Sequence, residues 1–187
     1  MDYRSNEDYY PWRQNNGAAY NNIIDVLFVE DSSPVTEPAT YAEALVQCNI
    51  DDQAQDVALI NSYITTARMQ CEAYTGIGFI YRTIQAVIRN QLGDIYLPYG
   101  PIGTVQSAVN QDGDAIEVKI DGIQWKTVRT VFLDATLTYT AGYAELPTVF
   151  KTALLQQVAY LYEHRGDEQA GQFSPVVKSL LQPHRRA

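Results

Sequence analysis

Residues 133–164 read LDATLTYTAGYAELPTVFKTALLQQVAYLYEH, and the change of pattern within them decides the fold. Leu133 to Thr140 is a strand-like run that stops at Ala141-Gly142. Pro147 then opens a helix, because a proline in the first turn gives up only an N–H that has no partner there. From Val149 to Tyr162 the helix is apolar on almost every side. Phe150, Leu154, Val158 and Leu161 lie along one face, and Leu155, Ala159 and Tyr162 along another. A soluble helix of that kind is central and covered by its neighbours. Gly166 marks its end.

Upstream, residues 80–141 read as β. Ile80, Ile84, Ala86 and Ile88 fall on one face, and Thr83, Gln85 and Arg89 on the other. Asp112-Gly113 and Asp121-Gly122 are hairpin turn signals between short alternating runs. Before this region stands a helix from Asp51-Asp52 to Thr75. Its apolar positions Val57, Ile60, Ile64, Ala67, Cys71 and Tyr74 follow steps of three and four, so they form one stripe. Gly76 stops it. A shorter helix precedes that one, with Thr40 as cap and Glu43 three residues on as the other half of a capping box. Downstream, Ser174 to Gln182 make a last short helix with Pro175 in its first turn, and Val177, Leu180 and Leu181 available to pack. The expected fold is therefore α+β. It is a small helical bundle (helices about 40–48, 52–75, 147–165 and 174–182) with an inserted antiparallel β-sheet subdomain (about 80–141) and extended N- and C-terminal arms.

Residues 1–33 form the first arm. Residues 1–22 within it carry no helical or strand period, and Tyr3, Tyr9, Tyr10, Trp12 and Tyr20 are spread through Asn, Asp and Arg. Aromatic side chains interleaved with polar ones suit docking onto another subunit. Residues 183–187 form the second arm, a basic tail.

The chain has 187 residues, enough for one compact domain with an extension. No run approaches the length of a membrane span. Met1-Asp2-Tyr3-Arg4 lacks a secretion-signal pattern, and Cys48 and Cys71 make neither a metal motif nor a disulfide scaffold, so folding in a reducing cytoplasm is expected. A net charge of −9 excludes a nonspecific nucleic-acid coat. The charge is uneven. Residues 1–60 hold eleven acids and two bases, whereas residues 146–187 hold three acids and five bases. Opposite signs at the two ends suit contacts between neighbours or different partners at each end.

A catalytic constellation is not visible. His164 ends the central helix, where a cation is favoured, and His184 belongs to the basic tail. Cys71 lies on the core stripe. Asp51, Asp52 and Asp56 head a helix, where acids are expected anyway, and the calcium-loop spacing is missing. Gly76, Gly78, Gly93, Gly100 and Gly103 read as a helix stop and turns rather than a phosphate cradle. No catalytic residue, cofactor or metal is assigned.

Several strings, in order, resemble the head–tail connector (adaptor) proteins of tailed bacteriophages. They are Pro34-Val35-Thr36, Asn49-Ile50-Asp51, Glu72-Ala73-Tyr74-Thr75-Gly76 and Ile95-Tyr96-Leu97-Pro98-Tyr99-Gly100-Pro101-Ile102. Then come Asp112-Gly113, Tyr139-Thr140-Ala141-Gly142-Tyr143 with Leu146-Pro147, Tyr162-Glu163-His164-Arg165, and Leu180-Leu181-Gln182-Pro183-His184-Arg185. The likeness covers roughly residues 34–186. The arm of residues 1–33 and the pair Glu37-Pro38 depart from the family pattern.

The resemblance implies a structural, non-enzymatic role in the virion neck, after assembly in the host bacterial cytoplasm. Copies would form a homo-oligomeric ring, typically dodecameric, beneath the portal protein. The ring would extend the DNA channel, pass DNA without binding it specifically, and dock a stopper or a tail-tube or tail-terminator protein. No membrane is implied. By the same resemblance the C-terminal segment engages the portal, through Leu180, Leu181, His184, Arg185 and Arg186; the alternative for the two leucines is a place in the bundle core. Competing readings are a stopper or tail-completion subunit, which lacks so long an apolar helix, a soluble binding module, or a small enzyme.

Overall fold

A computed structural model describes residues 23–29, 36–51, 57–89, 93–123, 125–130, 134–167 and 171–185. The chain divides into two compact units. Residues 35–75 and 145–186 make a helical unit, and residues 1–34 and 76–144 a sheet unit, with residue 187 grouped with the latter. The β region is thus inserted into a helical bundle, and the fold is α+β.

In the helical unit the described helices are α1 (Tyr41–Cys48), α2 (Val57–Thr75), α3 (Thr148–Glu163) and α4 (Pro175–Leu181), followed by a 3-10 turn at Gln182–His184. Thr40 caps α1 as a complete capping box, accepting from the Glu43 N–H while the Glu43 carboxylate accepts from the Thr40 N–H at 2.9 Å. Asn49 ends α1 with φ 53°, a left-handed conformation that asparagine tolerates. Pro147 stands just outside α3 as its N-cap residue. The α3 helix is central, packing against α1, α2 and α4. Ile60, Ile64 and Ala67 of α2 meet Leu154, Val158 and Leu161 of α3 in the core, with Ala39 and Ala44 closing it. Cys71 is buried too, whereas Val57, at the start of the same stripe, is exposed. Asp52 and Asp56 lie outside the described residues.

In the sheet unit, β1 (Ile23–Val29), β2 (Arg82–Ile88), β4 (Ile102–Val109) and β7 (Ala135–Ala141) form an antiparallel sheet of order β1-β2-β7-β4. A second sheet, β3-β6-β5, joins β3 (Gly93–Tyr96), β6 (Thr127–Thr130) and β5 (Lys119–Asp121). Both sheets feed one core of Ile84, Ala86, Ile88, Leu137 and Tyr139 with Ile95 and Val128. The sequence pattern suggested a single sheet. Pro98 and Pro101 have no N–H to continue a ladder, and the chain turns at Tyr99 with φ 61°, so β3 and β4 enter different sheets. Gly142 follows β7 with φ 95°, and a Cβ there would collide with the Ile80 carbonyl oxygen.

One boundary is corrected. Within the stretch expected to be an arm as far as residue 33, Ile23–Val29 are instead a strand that pairs antiparallel with β2 and buries Val26. This stretch is a nearly continuous apolar run, and its pairing partner lies about 60 residues on, so no local period announced it. Tyr3, Tyr9, Tyr10, Trp12 and Tyr20 lie outside the described residues.

Candidate interaction surfaces

The two histidines take separate structural roles. His164 is the C-cap of α3; its Nδ1 lies 2.9 Å from the Tyr160 carbonyl oxygen and its ring stacks on Tyr160. His184 meets the Phe150 ring edge-on, with centroids 5.1 Å apart. Burial pushes the Cys71 thiol well above its ordinary pKa, with the Glu72 charge adding to the shift, so it stays protonated and inert. Among the described residues no cluster of His, Cys, Asp or Glu is arranged to hold a metal, and no helix is long and apolar enough to cross a membrane.

The buried polar groups do structural work. Arg68 is 6% exposed and bonds Glu37 through Nε at 2.8 Å and Nη2 at 3.1 Å, and Glu72 through Nη1 at 2.9 Å. Thr65 donates to Glu37 at 2.9 Å. The departure Glu37-Pro38 thereby gains a purpose, clamping the segment before α1 onto α2. Gln157 is fully buried in α3, accepting from the Ser174 N–H at 2.9 Å and donating to Gln70 and to the Gln172 carbonyl. It fixes the strand of chain that leads into α4.

Three surface features remain. The first is the C-terminal turn. Arg185 lies over the Tyr74 ring at 5.6 Å and Lys178 at 6.0 Å, while Phe173 packs on the same ring. These contacts hold the basic turn at one end of the bundle with His184 and Arg185 exposed. Leu181 is fully buried in the helical unit, which is its core role, because α4 docks through Val177 and Leu181. Leu180 is half-buried on the outer side, and Arg186 lies outside the described residues. The second feature is an open apolar depression beside α4, lined by Pro175, Val176, Ser179 and Leu180.

The third feature is the β5–β6 hairpin. Its turn follows Asp121-Gly122, where Gly122 has φ 98°. The Trp125 ring occupies the space a side chain on Gly100 would need, and the Lys126 ammonium donates to the Gly103 carbonyl. Ile123 stands 90% exposed beyond that fixed base. The outward face of the small sheet is a solvated charge ladder, Arg129 bonding Asp94 at 2.7 and 2.9 Å. The Arg129 hydrogen bonds hold the Asp94 carboxyl below its ordinary pKa. The tail residues were legible as a basic cluster and Asp121-Gly122 as a hairpin turn; the exposure of Ile123 was missed, because a single Ile in a turn has no pattern.

No protein-family model and no curated protein matches the chain. Solved structures do. A chain in the neck of an empty gene transfer agent (GTA) particle computed with C6 symmetry superposes with a TM-score of 0.70 at 19% identity, covering 88% of this chain and 96% of that one. A chain of the native GTA virion gives 0.66 at 20% identity, over 87% and 95%. A chain in the native GTA neck computed with C12 symmetry gives 0.60 at 17% identity, over 83% and 96%. The fold is that of chains found in the neck and virion of this particle.

Proposed function

We propose that this chain is a structural subunit of a tailed-phage neck, a head–tail adaptor that forms a ring beneath the portal protein. The likeness to GTA neck chains over nearly their whole length is the observation that supports this reading most. The C6 and C12 symmetry of those necks suits a ring of identical copies. In this reading the subunit carries no chemistry. It extends the DNA channel, and the chain's excess of acids keeps passing DNA from being gripped. The exposed basic turn, His184 and Arg185 with Arg186 after it, engages the portal. The N-terminal aromatic residues Tyr3, Tyr9, Tyr10, Trp12 and Tyr20 engage a neighbouring copy, and the far side of the ring docks a stopper or tail-tube or tail-terminator protein.

Mass spectrometry of purified particles, quantifying this chain against the portal protein, tests the reading. A near-equal ratio is expected for a ring seated directly on the portal. About half that ratio would move the chain to a stopper or tail-completion position, and its absence from particles would remove the neck role. Deleting residues 183–187 is expected to weaken portal binding while leaving the circular dichroism spectrum unchanged; full-strength binding would take the tail out of the contact.

A further inference from the structure

Arg68, Lys119, Arg129 and Lys151 each meet a carboxylate in the folded chain, and Lys126 and Arg165 each donate to a backbone carbonyl. The side chains of Lys178 and Arg185 do neither. Both instead lie over the Tyr74 ring, at 6.0 and 5.6 Å. Phe173 packs on that ring as well, so the ring itself is held in place. Gln182 stands between the two cations in sequence. Its amide oxygen accepts from the Tyr74 hydroxyl at 3.5 Å, which leaves its NH2 group as a further donor. Lys178, Gln182 and Arg185 are all exposed, and residues 169–187 contain no acid.

Two cations gathered on one ring repel each other, which offsets part of what each gains from the ring. The end of α4 accounts for one of them, since a cation in the last turn of a helix is favoured and Lys178 is there. It does not account for Arg185, which lies beyond both the helix and the 3-10 turn. The fold therefore holds a set of donors that its own acids do not answer. It also holds them partly ordered before anything binds, which lowers the entropy lost on docking. A carboxylate placed among them relieves the repulsion and meets a planar guanidinium that can hold it by two parallel hydrogen bonds.

We infer that this cluster docks an acidic protein segment, with an Asp or Glu side chain of the partner seated between Lys178 and Arg185 at the rim of Tyr74. DNA is a poor occupant for the same site. Its phosphates would also meet the rest of a chain of net charge −9, and so few cations release too few counterions to hold a duplex against that. A short acidic segment touches only the acid-free end, where opposite charges orient the contact. The inference rests on the portal reading above and deepens it. The portal element that the basic turn engages is acidic, and Tyr74, Lys178 and Gln182 join His184 and Arg185 in the contact.

Purified particles treated with a water-soluble carbodiimide decide it, because that reagent joins a lysine amine to a carboxylate only where the two touch. Mass spectrometry of the digested particles is expected to recover Lys178 linked to an Asp or Glu of the portal protein. Both cations are exposed, so their charge can be reversed without touching the core. Lys178→Glu with Arg185→Glu is expected to lower incorporation into particles tenfold or more while leaving the circular dichroism spectrum unchanged. The inference is overturned if Lys178 comes back unlinked, if it is linked to a second copy of this chain or to any other neck protein, or if the doubly reversed chain incorporates normally. Portal cross-links through other residues, with Lys178 unlinked, would leave the portal reading standing without the acidic segment. Absence of the unchanged chain from particles would remove the neck reading and this inference together.

Discussion

Arg68 sits inside the helical unit between two carboxylates, with side-chain exposures of 8% for Arg68, 22% for Glu37 and 4% for Glu72. Burial disfavours its charge, but the hydrogen bonds and charges of Glu37 and Glu72 outweigh that and raise its pKa, so the cation persists wherever the chain is folded. Removing one member of such a cluster is worse than removing all of it, because the remaining charges stay buried without compensation. Arg68→Ala is therefore expected to destabilise the chain by about 3–5 kcal/mol. The triple change Glu37→Gln, Arg68→Met, Glu72→Leu should recover most of that loss. Urea denaturation followed by circular dichroism checks both, and a triple variant no more stable than Arg68→Ala would show that the ion cluster itself stabilises the fold. The sequence showed half of this arrangement. Arg68 and Glu72 are four apart on one helix, a spacing that brings side chains together. Glu37 is 31 positions from Arg68, and only tertiary packing joins them.

The start of α1 shows a similar division between local and distant partners. Its capping box was legible from Thr40 and Glu43, since both halves lie within four residues. What was hidden is that the same Glu43 carboxylate reaches Lys151 of α3 at 2.6 Å, tying two helices together. The hydrogen bond from Lys151 and that from the Thr40 N–H hold the Glu43 carboxyl below its usual pKa of 4.5. A lowered folded pKa means that the stabilisation is complete above the unfolded value and fades as pH falls through the folded one. Both side chains are more than a third exposed or nearly so, so the ion pair is worth only about 0.5–1 kcal/mol. Glu43→Gln keeps a capping-box side chain and loses the charge. Its stability deficit should be present near neutral pH and shrink as pH is lowered from about 6 to about 3. A deficit independent of pH over that window would assign the effect to shape rather than charge. Other elements follow the same rule. The Asp-Gly turns, the Gly76 stop and the apolar faces of α2, α3 and β2 depend on near neighbours and could be read from the sequence. The split into two sheets depends on where distant segments meet.

Across the whole molecule, the first described element is β1 of the sheet unit. This strand lies at the edge of the four-stranded sheet, pairing with β2 from Asp25 to Val29 and burying Val26 at 3% exposure. Burying a valine is worth about 1.5–3 kcal/mol, and each ladder hydrogen bond adds roughly 1 kcal/mol net. Ordering the strand costs a comparable amount, so the loss on removing β1 comes mainly from the apolar surface it uncovers on β2. Two truncations separate arm from strand. A chain beginning at residue 23 keeps β1 and is expected to unfold near the temperature of the full chain. A chain beginning at residue 30 uncovers β2 and should lose about 6–12 °C, the shift that roughly 3 kcal/mol produces in a chain of this size. The two should also part company in assembly. The first is expected to fold normally yet enter particles poorly, because Tyr3, Tyr9, Tyr10, Trp12 and Tyr20 are gone while the sheet remains. Differential scanning calorimetry on both chains, paired with their abundance in particles, reads the two effects apart. If removal of residues 1–22 alone lowers the melting temperature as far as the longer deletion does, those aromatic residues serve the sheet unit of their own chain, and the docking role assigned to them is lost.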